Sequence, residues 1–228
     1  MPRSPTVVAF DVNETLIDLQ PLRRRFEEVG APGYLFETWF ASTLRDGFAL
    51  TAAGAYADFA SVALDVLRGL LSGVGNLQRE PVKAAEHVLA GLPELDLHPD
   101  VAKGMRRLRD AGVRMVTLTN GAAELTGTLL QRGGVADLVE RRLSVTEVGR
   151  WKPAPEPYLY AARECGVEIK AMVLVAVHPW DIDGAKRAGL LAGWLNRTGS
   201  PYPDFFAKPD AAAPDLRALA DALLEFGA

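Results

Sequence analysis

Thr6-Val7-Val8-Ala9-Phe10-Asp11-Val12-Asn13-Glu14-Thr15-Leu16 is the stretch that decides the fold. An unbroken apolar or β-branched run, Thr6 to Phe10, ends abruptly on an aspartate. So short an apolar run reads as a strand buried on both faces of a parallel sheet. Asp11 then stands at the strand's carboxyl end, where open α/β sheets place their ligand crevice. A carboxylate there can act as a nucleophile and carry a covalent ester or acyl-phosphate. Taken alone, the stretch fits a helix cap equally well, since aspartate often opens the element after a strand.

Outward from it the pattern turns helical. Pro21 suits a first helical position, and Leu22, Phe26 and Val29 recur at helical spacing before Gly30. Further helices are expected near Tyr34 to Asp46, where Gly47 follows, near Tyr56 to Leu71, and from Pro81 to Leu89. No strand pattern occurs from about residue 17 to 92. From Pro99 helices and strands alternate, with strands at Arg114–Leu118, Leu143–Val145, Met172–Val177 and Leu191–Leu195. Helices are expected near Asp100–Ala111, Glu124–Arg132, from the Pro153–Pro157 turn to Cys165, from Asp181, and over Asp215–Glu225. Ala211-Ala212-Ala213-Pro214 reads as a linker. The expected class is α/β: a Rossmann-like core with a parallel sheet from 1–16 and 93–228, and an inserted all-helical cap from 17–92.

A chain of 228 residues can bury a core and carry such an insertion. Its 49% hydrophobic and 24% charged residues fit a soluble globular protein. A net charge of -4 without a basic block argues against a nucleic-acid partner. No stretch approaches the ~20 apolar residues of a membrane span. Met1 to Thr6 lacks the apolar run of a signal peptide. The lone Cys165 fits a reduced, cytoplasmic protein.

Several segments end on polar residues that can meet at one sheet edge: Asp11, Thr119-Asn120, and His178 with Asp181. Lys152 precedes a proline-rich turn. In that arrangement Asp11 attacks. Thr119 and Asn120, with backbone N–H groups at the next helix start, hold an anion. Lys152 keeps Asp11 ionised and offsets charge that develops in the transition state. Asp181 orients Lys152 or helps activate a water.

With Leu118-Thr119-Asn120-Gly121, Lys152-Pro153 and Trp180-Asp181-Ile182-Asp183-Gly184-Ala185 following the opening stretch in order, the chain resembles the haloacid dehalogenase superfamily. More narrowly it resembles the type II, L-2-haloacid dehalogenase branch. The carriers are the helical insertion, Trp180-Asp181, Lys152-Pro153 followed by Tyr158, and Trp194-Leu195-Asn196-Arg197-Thr198-Gly199. The resemblance implies that Asp11 displaces halide from C2 of a small anionic 2-haloalkanoate and that water hydrolyses the ester. It implies no metal, no cofactor and a homodimer through the cap. The substrate side is expected to include Thr15, Asn13, Asn120, Phe40, Arg45, Tyr158, His178 and Trp180.

The departures are informative. Superfamily phosphatases hold an acid two places after the nucleophile and a magnesium-binding aspartate four places before Asp181. Asn13 and Val177 stand there, and neither can do that work. The dehalogenase branch has an arginine after its cap tryptophan; here Phe40 follows Trp39, and Arg45 lies further along the same expected helix. Ala176 and His178 stand where the branch has serine and asparagine. The alternatives are a small-molecule phosphatase on the same scaffold and a substrate-binding homologue with reduced activity.

Overall fold

The computed structural model describes residues 5–227. The reading of Met1 to Ser4 lies outside them. The opening run forms β1 (Val7–Phe10), and all four of its residues are buried. The other strands are β2 (Arg114–Thr119), β3 (Arg141–Ser144), β4 (Met172–Ala176), β5 (Leu191–Leu195) and β6 (Ala211–Ala213). Among the described residues they make one sheet in the order β3-β2-β1-β4-β5-β6, parallel throughout.

β1 lies at the centre. Phe10 is in register with Thr117 of β2 and Val175 of β4, so the carboxyl ends of these strands are level. Chain order reverses about β1, which opens a crevice at that edge. Alternate β1 residues face opposite sides, as a pleated strand requires. Val8 and Phe10 pack toward Met105 and Leu108 of α5 (Val101–Asp110) and Leu216 and Leu219 of α9 (Leu216–Leu224). Val7 and Ala9 pack toward Tyr158 and Ala161 of α7 (Pro155–Cys165) and Ile182 of α8 (Pro179–Ala188). Helix α6 (Ala123–Arg132) joins β2 to the β3 segment.

Between β1 and α5 run α1 (Leu22–Glu27), α2 (Leu35–Ala52), α3 (Phe59–Ser72) and α4 (Pro81–Leu89), with no strand among them. They share one apolar cluster, including Phe26, Phe36, Trp39, Leu67 and Val88, that is continuous with one face of the sheet. The Asp58 side chain accepts from Ser61 N at 2.9 Å and starts α3.

Two expectations need correction. α2 does not stop at Gly47; it continues to Ala52. A Cβ on Gly47 would lie 2.3 Å from the Trp151 ring, so this glycine serves close approach of an aromatic ring, not helix termination. Ala211 to Ala213 is no linker but the edge strand β6, paired with Gly193 to Leu195. Alanine has weak strand preference, and here pairing to β5 outweighs it. Among the described residues no helix is long and apolar enough to cross a membrane.

Candidate active site

The level strand ends place a buried ionic cluster at the crevice. Asp11 follows β1, and its N–H donates to Val175 O of β4 at 3.0 Å. Lys152 Nζ donates to Asp11 Oδ1 at 2.8 Å, to Asp181 Oδ2 at 2.6 Å and to the Leu118 carbonyl at 2.9 Å. The lysine is fully buried, Asp181 likewise, and Asp11 is 4% exposed. Thr15 Oγ1 donates to Asp11 Oδ2 at 2.7 Å and accepts from Val177 N at 3.1 Å. Tyr158 OH donates to Asp181 Oδ1 at 2.6 Å. His178 Nδ1 lies 3.4 Å from Asp11 Oδ2. That contact is too poorly directed for a hydrogen bond, and Nδ1 is buried without a partner among the described residues. The other ring nitrogen, Nε2, is 2.9 Å from Glu14 Oε2.

The charges set one another. Burial raises an aspartate, but at Asp11 the Lys152 ammonium and the His178 ring outweigh it and hold the carboxyl below its usual range. Burial opposes the Lys152 charge, yet Asp11 and Asp181 lift it above the ordinary lysine value. At Asp181 burial prevails over the pull of Lys152, and repulsion from Asp11 adds to it, so its pKa is raised. Burial also opposes a charged His178, but Asp11 and then Glu14 push it up to about 9. Burial, with Asp181 beside it, keeps the Tyr158 hydroxyl well above its usual value and therefore protonated. The arrangement fixes the ionised Asp11 carboxylate at both oxygens, and the residues that follow it, Val12 and Asn13, line a cavity of about 270 Å³ with Phe59, Thr119 and Leu125.

A family model described as haloacid dehalogenase-like hydrolase matches residues 5–189. The chain belongs to that family. It is 28% identical to (S)-2-haloacid dehalogenase 1 of Pseudomonas sp. (strain CBS-3), over 94% of this chain and 95% of that one. A solved dehalogenase with an intermediate complex superimposes with a TM-score of 0.89 at 25% identity, covering 98% of this chain and 99% of that one. A phosphoserine phosphatase of Thermus thermophilus is 31% identical over 69% of this chain and 64% of its own length.

Within this hydrolase fold, Asp11, Lys152, Asp181 and Thr15 come together as one cluster. Thr119 lies at the cavity, but its Oγ1 accepts from Gly121 N at 2.9 Å and shapes the turn. Asn13 lines the same cavity. Trp180 stacks on His178 with centroids 5.1 Å apart, and Phe40 of α2 faces the same ring at 6.2 Å.

Other residues serve differently from expectation. Asn120 accepts from Lys152 N at 2.9 Å, so it fixes the lysine's main chain. Tyr158 is fully buried and supports Asp181 instead of facing the cavity. Arg45 is not brought to the cluster: it is exposed and paired with Asp46 at 2.7 Å. On α2, Phe40 faces inward while Arg45 faces out, as their helical spacing dictates. α8 begins at Pro179, before the expected start at Asp181, so Asp181 lies inside its first turn.

Two contributors escaped the sequence reading. Glu14 was visible only as a polar residue in the opening loop, and the Leu118 carbonyl carries no side-chain signal at all.

Proposed function

We propose that the chain is a metal-independent (S)-2-haloacid dehalogenase with Asp11 as nucleophile. The observation that carries this reading is the Asp11 carboxylate, buried, kept ionised by Lys152 at 2.8 Å and fixed by Thr15 at 2.7 Å. One Asp11 oxygen attacks C2 of a small 2-haloalkanoate, the carbon–halogen bond breaks, and halide leaves with the electron pair. Water then attacks the ester carbonyl carbon and releases the 2-hydroxy acid. Halide is a weak base and needs no proton, which suits Asn13 in a place where phosphatases keep an acid. The cation shared by Asp11 and Asp181 is the Lys152 ammonium. Thr119, Asn13, Phe40 and Trp180 form the substrate's surroundings, while Thr15, Asn120 and Tyr158 hold the reacting groups in place.

The same reading takes residues 17–92 as a cap over the 1–16 and 93–228 core. It also takes the protein as a cytoplasmic homodimer joined through cap helices, where Tyr34 and Val82 are exposed. The names of the relatives support the activity.

Halide release from (S)-2-chloropropionate tests it: the wild type turns over and Asp11→Asn does not. The similarity to the Thermus phosphatase favours a second reading, a small-molecule phosphatase. Magnesium-dependent hydrolysis of p-nitrophenyl phosphate, with no halide release, would install it in place of the first.

A further inference from the structure

We propose that His178 is the catalytic acid–base of ester hydrolysis, carrying one proton from the attacking water to the departing product oxygen. This rests on the dehalogenase reading above. Asp181 is poorly placed for the task. Both its oxygens are engaged, by Lys152 at 2.6 Å and Tyr158 at 2.6 Å.

His178 has what Asp181 lacks. Its Nδ1 is buried, without a hydrogen-bond partner among the described residues, and 3.4 Å from Asp11 Oδ2. Its Nε2 is held by Glu14 at 2.9 Å, so the neutral ring keeps its proton there and turns the Nδ1 lone pair toward Asp11. Stacking on Trp180, with Phe40 across from it, restricts the ring.

The Glu14 pairing is built into the backbone. Glu14 has φ +60, a left-handed conformation that a non-glycine residue adopts only when its surroundings hold it there. It is held there with its carbonyl 3.0 Å from His98 Nε2. A second cavity of about 340 Å³ is lined by Glu14, His98, His178 and Arg197, so the ring that faces Asp11 borders open space.

The steps balance. In the free enzyme Asp11 and Glu14 favour imidazolium, with Lys152 and Asp181 beyond Asp11 and the Phe40 ring facing from α2. When Oδ2 bonds to C2 and halide leaves, Asp11 loses its charge, and His178 releases its proton. Water then bonds to the Asp11 carbonyl carbon and gives a proton to Nδ1. Lys152 faces Oδ1, the oxygen that becomes negative. The carbon–Oδ2 bond breaks, and Oδ2 leaves as the product hydroxyl with the proton from Nδ1. The regenerated acid returns its own proton to His178, so each turnover releases one proton and one halide.

Rapid-quench kinetics with (S)-2-chloropropionate test the assignment. His178→Gln is expected to give a stoichiometric burst of halide and then turn over about 10²–10⁴-fold more slowly. Mass spectrometry would find the ester accumulated on the Asp11 peptide. His178→Ala is expected to behave alike, with added imidazole restoring turnover. Wild-type turnover in both variants, or loss of the burst together with turnover, would overturn the assignment. A wild type that releases no halide would instead overturn the dehalogenase reading and this assignment with it.

Discussion

Asp11 and Lys152, 141 positions apart in the chain, meet at 2.8 Å with the lysine wholly buried. Lys152 is also the cation between Asp11 and Asp181. Lys152→Met would leave two buried carboxylates facing each other. Breaking a buried pair in this way costs about 3–5 kcal/mol. Urea unfolding at neutral pH is expected to show that loss, with halide release abolished. A variant as stable as the wild type would mean the cluster is wetter than its geometry indicates.

His178 gives stability a pH dependence. Its folded value, about 9, lies above the ordinary 6.5. A raised value favours the folded state below about 6.5, and that contribution disappears as pH rises through about 9. It is worth up to about 3 kcal/mol at the acid end. The stability difference between wild type and His178→Asn should therefore be largest near pH 6 and shrink toward pH 10. Melting curves across that range would show a constant difference if Asp11 and Glu14 did not hold an imidazolium.

Tyr158→Phe removes one hydroxyl and leaves Asp181 Oδ1 without its donor. An unsatisfied buried group costs about 1–3 kcal/mol, more when charged. Asp181 is expected to become still harder to ionise, with turnover falling while KM changes little because the hydroxyl does not face the cavity. A change confined to KM would return Tyr158 to the substrate's side.

Gly47→Ala tests the seam between α2 and the Trp151 loop. The added carbon would meet the Trp151 ring at 2.3 Å. Overpacking of this kind costs about 1–3 kcal/mol. A lower melting temperature is expected, although alanine is the better helix former. A stabilised variant would show that the two elements separate easily.

Much of this was legible in the sequence because the signals were local. The run to Phe10, the strands Met172–Ala176 and Leu191–Leu195 and the Pro81 helix carry their own periodicity or boundaries. What escaped was set by partners distant in the chain. Gly47 looks like punctuation until Trp151 is seen against it, and the Ala211–Ala213 strand exists only because β5 offers an edge. At the site, Asp11, Lys152 and Asp181 were visible through residue type and motif. The Asn120 clamp on Lys152 and the Glu14–His178 pair depend on which way side chains turn at a strand end, and spacing does not encode that.

Repeated turnover in heavy-oxygen water, followed by mass spectrometry of the Asp11 peptide, tests the ester most directly. The label is expected in the Asp11 carboxylate and in no other residue, because water attacks the enzyme's carbonyl carbon and not the substrate. Halide release with an unlabelled Asp11 would contradict it, since the water would then have attacked C2 itself.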